Sequence, residues 1–249
     1  MGRPSGWAVP ALFAVAAAVT AVHAAGKLDH ALVHASMRAW LLALYSVLRT
    51  AVALAFAVFT VGRAAPRRPA RRPLAFAACA LAMAAVLAFA DPRANTSPLL
   101  LLTGEIITVL FYGWLLVSVL HLGRCFGVLP EARGLVMSGP YRLVRHPVYL
   151  GELGACLGLA IAAPSARNAG TLAILLGAQI VRIRLEERAL EEAFPEYSGY
   201  ARHTPRLVPR IVPRGPRRIA TAARALTRAL AASPRIAQTR SRADAFSHR

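Results

Sequence analysis

The 249-residue chain is 57% hydrophobic and only 16% charged, against about 25% charged in an average soluble domain, which excludes an ordinary soluble protein. Its formal charge is +19, and 29 of its 30 basic residues are Arg, Lys27 being the exception. On a chain with apolar blocks of membrane-spanning length, this basicity points to orientation and to anionic lipid headgroups rather than to nucleic acid. Cys79, Cys125 and Cys156 are odd in number, lie in or beside apolar segments and have no CxxC spacing. That excludes a disulfide framework and gives no metal site.

Six apolar blocks follow in chain order, at 7–25, 40–62, 74–90, 99–120, 148–163 and 169–185. They predict an all-α fold, a polytopic transmembrane helical bundle of five or six spans. The last two blocks are short and separated only by Pro164 to Asn168, so they read as a C-terminal helical hairpin lying partly inside the bundle. The first block, with Arg3 before it and Val22-His23-Ala24 near its end, also has the features of a signal peptide. It is read here as an uncleaved helix; cleavage would leave five spans.

Loops 26–39, 91–98 and 164–168 hold four basic residues, Lys27, Arg38, Arg93 and Arg167. The other side holds ten: Arg3, five Arg in 63–73, and Arg124, Arg133, Arg142 and Arg145. The excess places that second side, and the C-terminus, in the cytoplasm of a multi-pass inner or plasma membrane protein. Three regions result: N-terminal helices over 1–120, a chemistry-bearing region over 121–210, and a basic tail over 211–249. In the tail, Arg217, Arg224 and Arg228 repeat at helical spacing opposite Ile219, Leu226 and Leu230. A surface helix on anionic lipid headgroups and a disordered basic tail both fit that pattern.

The informative residues lie between 134 and 210. Gly139-Pro140-Tyr141 leads into Arg145-His146-Pro147-Val148-Tyr149-Leu150-Gly151; after the hairpin come Arg182, the Glu186-Glu187 pair, and Phe194 with Tyr197 and Tyr200. Gly139-Pro140 breaks any helix, and Pro147 keeps His146 out of α geometry, so Tyr141 to His146 is expected to be irregular backbone lining a polar cavity at the bundle's mouth. Pro147 then suits the first turn of the next helix. Arg182 and Glu186, four apart, share a helix face, and Glu187 is turned about 100° from it.

In this order the segments resemble the C-terminal signature of the isoprenylcysteine carboxyl methyltransferase family and the related phospholipid methyltransferases, over about 80 residues. The first 120 residues match that family only in being helical spans. The resemblance implies a cytoplasmic pocket for S-adenosyl-L-methionine held by Tyr141, Arg145, His146, Pro147, Tyr149, Gly151 and Glu186. It implies catalytic roles for Arg182, as holder of an acidic acceptor, and for Glu187. Exposed N–H groups at the start of the helix at Pro147 would suit the cofactor's carboxylate.

Three polar features lie outside the signature. Arg49 and Glu105 sit within apolar blocks, where charges face the protein interior and pair, so they are expected to be structural or substrate-lining, with pairing to each other as one possibility. His30 and His34, four apart beside Asp29, are too few for a structural metal site.

The expectation is an integral-membrane enzyme that methylates a lipid or prenylated small substrate arriving from the bilayer, by carboxyl O-methylation of an isoprenylcysteine-type acceptor. No nucleic acid and no obligate protein partner is expected. A phospholipid amine N-methyltransferase is the alternative, with His146, Glu105 or Glu187 as proton acceptor. A non-catalytic transporter or assembly factor is the third reading.

Overall fold

The computed structural model describes residues 8–67 and 73–209, and among them all regular structure is helical. The helices are α1 (Ala8–His34), α2 (Met37–Val61), α3 (Pro73–Leu87), α4 (Pro98–Leu122), α5 (Pro147–Ala162), α6 (Ala166–Ala193) and α7 (Tyr197–His203), with 3₁₀ turns at Gly123–Cys125 and Gly139–Arg142. The tail helix expected near 217–230 lies outside the described residues.

Local signals set most boundaries. Ser36 caps α2 by accepting from the Ala39 N–H at 3.1 Å, and Ser165 caps α6 by accepting from Asn168 N–H at 3.1 Å. Pro98 and Pro147 occupy the first turns of α4 and α5, where a missing N–H costs nothing. One boundary differs from expectation. Residues 26–34, read as loop for their charged and histidine side chains, continue α1, so the α1–α2 connection is only Ala35 and Ser36, with Ala35 at φ 46°. Helical N–H groups are satisfied whatever the side chains carry, and Lys27, Asp29 and His30 sit on exposed faces.

Among the described residues three helices are long and apolar enough to cross a membrane: Val9–His34, Met37–Val61 and Pro98–Cys125. By length, α3 and α5, with 15 and 16 residues, reach about 22–24 Å, short of the roughly 30 Å hydrocarbon layer. The 28-residue α6 is apolar mainly over Leu172–Ala178 and, apart from Arg167 in its first turn, carries its charges beyond Ala178. Three long apolar helices thus stand together with the shorter α3 and α5 and the part-apolar α6 in one helical fold.

The packing is that of a membrane protein, with small residues facing inward. In α3 the buried positions are Ala75, Ala78, Ala82 and Ala85, while Leu74, Phe76 and Leu81 point outward. Without a hydrophobic drive between helices in lipid, small residues that let backbones approach become the interface. The α4–α5 crossing carries this furthest. A Cβ on Gly151 would lie 2.8 Å from Leu115 Cβ, and Gly154 and Gly158 leave no room against Phe111 and Thr108. Thr108 Oγ1 donates to Gly104 O at 2.8 Å and to Ala155 O at 3.2 Å across the same seam.

The two ends of the bundle are tied differently. At one end, the 62–67 and 123–146 connections and residues 204–206 converge: Ala64 N–H donates to Arg124 O, Arg67 N–H to Ala132 O, and Arg145 and His146 N–H to Pro205 and Arg206 O. At the other, Asn168 closes the bundle, accepting from Ala90 N–H and donating to Ala90 O and Ala163 O.

Candidate functional site

The converging end holds the expected signature, and its backbone is as irregular as the proline and glycine pattern requires. Gly139 adopts φ 57°, a left-handed value that favours glycine, and starts the 3₁₀ turn that buries Pro140 and Tyr141. His146 then stands as the non-helical residue before α5, at φ −124° and ψ 63°, and Trp114 Nε1 donates to Pro147 O at 2.9 Å, pinning that helix start to α4.

The α6 carboxylate pair meets this turn with two different tasks. Glu187, 4% exposed, lies 2.9 Å from Arg145 Nη1 and 3.2 Å from His146 Nε2 through Oε1, and accepts from Arg206 Nε at 2.9 Å through Oε2. Burial pushes its carboxyl upward, but the bonds from His146 and Arg206 and the nearby positive charge outweigh that and bring it down to about 2. It is a permanent anion whose partners are all in the chain. Glu186, one residue earlier, accepts from the Tyr149 hydroxyl at 2.6 Å and faces the interior of the bundle.

That interior is a cavity of about 330 Å³. Tyr141, Arg145, His146, Tyr149, Arg182 and Glu186 all line it. Glu187, Pro147 and Gly151 do not: Glu187 ties the signature loop to residue 206, Pro147 holds the helix start, and Gly151 gives α4 its close approach. The two carboxylates are 100° apart around α6, so only one can face the cavity while the other faces the loop.

Arg182 is positioned on every side. Its Nη1 donates to Gln179 Oε1 at 2.9 Å, its Nη2 to Val128 O at 3.3 Å, and its guanidinium carbon stands 4.8 Å over the Tyr149 ring, against which His146 also stacks. Glu152 Oε2 lies 3.7 Å from Arg182 Nη1 and accepts from Gln179 Nε2 at 2.5 Å. Sequence reasoning passed over Glu152, Gln179 and Arg206. The first two had a signal, an acid three residues after Tyr149 inside an apolar block and an amide three before Arg182, each sharing a face with a signature residue. Arg206 had none, because its contact depends on how the chain returns after α7.

Several polar atoms at this end are left without a well-formed hydrogen bond, with the Tyr197 hydroxyl standing beside the Arg145 guanidinium. Arg145 Nε, Arg182 Nε and the Tyr197 hydroxyl are buried without a hydrogen bond, whereas the Tyr200 hydroxyl donates to Tyr141 O at 2.6 Å. Burial raises both phenols, Tyr200 to about 12, so each remains a neutral donor.

The outlying residues resolve as follows. Glu105 pairs with Arg38, at 3.0 Å, and not with Arg49, whose guanidinium lies over the Tyr45 ring at 5.6 Å. Arg38, one residue into α2, is the cation at Glu105's depth on α4, while Arg49 sits three turns further along. The His30 and His34 rings pack together at 4.2 Å. Among the described residues no group of three or more His, Cys, Asp or Glu is placed to hold a metal ion.

Two curated proteins are similar to part of the chain. One is the cobalt-zinc-cadmium resistance protein CzcN of Cupriavidus metallidurans, 39% identical over 108 residues, 41% of this chain and 50% of that protein. The other is the nickel-cobalt-cadmium resistance protein NccN of Alcaligenes xylosoxydans, 33% identical over 108 residues, 41% of this chain and 51% of that protein. The chain thus spans about half the length of the curated relatives it matches. A family model described as phospholipid methyltransferase matches residues 93–197, a stretch that takes in the signature turn, the hairpin and the α6 carboxylates.

Proposed function

We propose that the chain is an integral-membrane methyltransferase that uses S-adenosyl-L-methionine to methylate a lipid-like acceptor, the finer assignment being carboxyl O-methylation of an isoprenylcysteine-type substrate. One observation carries this reading. A single cavity is lined by Arg145, Arg182, Glu186 and Tyr197 and also by apolar residues of α1 to α3 such as Phe13, Phe56 and Met83. A charged cofactor and an apolar acceptor can meet in such a space, with water excluded by its walls.

The residues present fit the cofactor. The unpartnered Arg145 Nε and Tyr197 hydroxyl are donors suited to its carboxylate and ribose oxygens, and Glu186 is a carboxylate suited to its ammonium or sulfonium charge. S-adenosyl-L-methionine supplies an activated methyl group on sulfur. The protein's contribution is alignment: Tyr149 sets Glu186, and Gln179, Glu152 and Val128 set Arg182 so that its unpaired Nε edge is left for an acidic acceptor. A carboxylate acceptor needs no base. The arginine excess supports placing this mouth and the C-terminus in the cytoplasm, where the cofactor is available, with the acceptor entering from the bilayer.

The family description favours a second reading, a phospholipid amine acceptor, which must lose a proton before it can accept a methyl. Two measurements on the purified full chain separate them. A carboxyl acceptor is ionised throughout pH 6 to 9, so the rate is expected to be flat there. Arg182→Lys keeps the charge but loses the fork, and is expected to cut the rate at least tenfold. A rate that climbs with pH, with a benign Arg182→Lys, selects the amine. Absence of S-adenosyl-L-methionine binding by calorimetry sinks both, and leaves a non-catalytic role such as the metal resistance after which the two relatives are named.

A further inference from the structure

The cavity does not end at the signature residues. Arg49, Thr20, Val52, Ala53, Phe56 and Tyr112 also line it. Arg49 is 12 residues from the Val61 end of α2 and Tyr112 ten from the Leu122 end of α4, so this part lies about 15–18 Å into the bundle. Glu152, five residues into α5, is about 8 Å in. The two levels are thus separated by about two helical turns along the bundle.

The charges inside this space are divided between its two levels. At the mouth level Arg145 has Glu187, Arg182 has Glu152, and Glu186 accepts from the Tyr149 hydroxyl. Glu105, on α4, is held by Arg38. Arg49 makes no ion pair or hydrogen bond among the described residues: its guanidinium has only the Tyr45 ring, and its Nε is buried without an acceptor. A guanidinium at membrane depth costs several kcal/mol unless it finds an anion or water. Here the walls around it carry the hydroxyls of Thr20 and Tyr112 but no acidic side chain, and the space before it is open.

From this we infer that Arg49 is an anion-binding subsite within the bundle, which receives an acidic group of the amphiphilic acceptor while hydrocarbon packs on Val52, Ala53 and Phe56. The inference rests on reading the cavity as the acceptor's place. It adds that the acceptor carries a carboxylate or phosphate at the inner end of the cavity, and that Arg49 selects for it. Arg is suited to either group through its planar fork.

The test uses the full chain in phosphatidylcholine nanodiscs, with dodecanoate, dodecyl phosphate and dodecanol as probes and thermal stabilisation as readout. At least one anion is expected to stabilise the wild type, and dodecanol is not. Preference for dodecyl phosphate identifies a phosphate group, and for dodecanoate a carboxylate. Arg49→Gln is expected to weaken the anion tenfold or more, with S-adenosyl-L-methionine affinity unchanged by calorimetry. If Arg49→Gln does not fold, Ala53→Phe, one turn along the same face, fills the subsite without touching the charge and is expected to have the same effect on the anion. Equal stabilisation by dodecanol, or anion binding that survives both Arg49→Gln and Ala53→Phe, overturns the subsite. Loss of S-adenosyl-L-methionine affinity in Arg49→Gln also overturns it, by making Arg49 a cofactor residue. Failure of the wild type to bind S-adenosyl-L-methionine counts against the enzymatic reading and leaves the anion result to stand by itself.

Discussion

The two ends of the bundle are both polar, and they treat their polar groups in opposite ways. At the closed end, Asn168 spends its whole side chain on Ala90 and Ala163. At the mouth, Glu187 is saturated in the same manner, yet Arg145 Nε, Arg182 Nε and the Tyr197 hydroxyl beside it are buried and unspent. A buried polar group costs free energy unless bonded, so a fold that only needed closing would spend all of them. Unspent donors around a cavity, held in place by spent ones, are what a site for a polar ligand requires.

The largest effect that can break this contrast is expected at Glu187. Replacing it by Ala strands Arg145 and His146 and is expected to cost about 3 kcal/mol of stability, at the low end for a buried ion pair because Arg206 is largely exposed. Thermal unfolding in detergent checks it. The same carboxylate gives a pH signature. Its folded value of about 2 lies below the ordinary 4.5, so its stabilisation is complete above pH 4.5 and is lost as pH falls toward 2. Glu187→Gln removes that component from the window between the two values. A mutant as stable and as acid-sensitive as the wild type would show that Glu187 is not the tie described.

A somewhat smaller loss, about 2 kcal/mol, is expected for Asn168→Ala, which gives up the bonds that close the other end. Here S-adenosyl-L-methionine affinity of the folded protein should not change. An affinity loss matching that of a mouth mutant would erase the distinction between the ends. The smallest effect on stability and the most selective effect on binding belong to Glu186→Gln. It keeps a partner for the Tyr149 hydroxyl and faces the cavity, so unfolding should shift little while cofactor affinity falls about tenfold, the loss of one charge-assisted contact. Unchanged affinity would reduce Glu186 to a brace for Tyr149.

Much of this was legible in the chain itself. Apolar blocks located the helices, prolines at 98 and 147 and serines at 36 and 165 set their starts, and Gly139-Pro140 with His146-Pro147 fixed the irregular turn, because these residues act on backbone within a few positions of themselves. The i, i+4 relation of Arg182 and Glu186, and the turn that separates Glu187 from them, were likewise helix geometry. Partner choice was a matter for tertiary structure. Glu105 takes Arg38 and leaves Arg49 alone, Glu187 draws in Arg206 from beyond α7, and Glu152 joins Arg182 from another helix. Each depends on the depth and rotation at which two helices pack, which small residues such as Gly151 and Ala82 permit through close backbone approach and which no local pattern encodes.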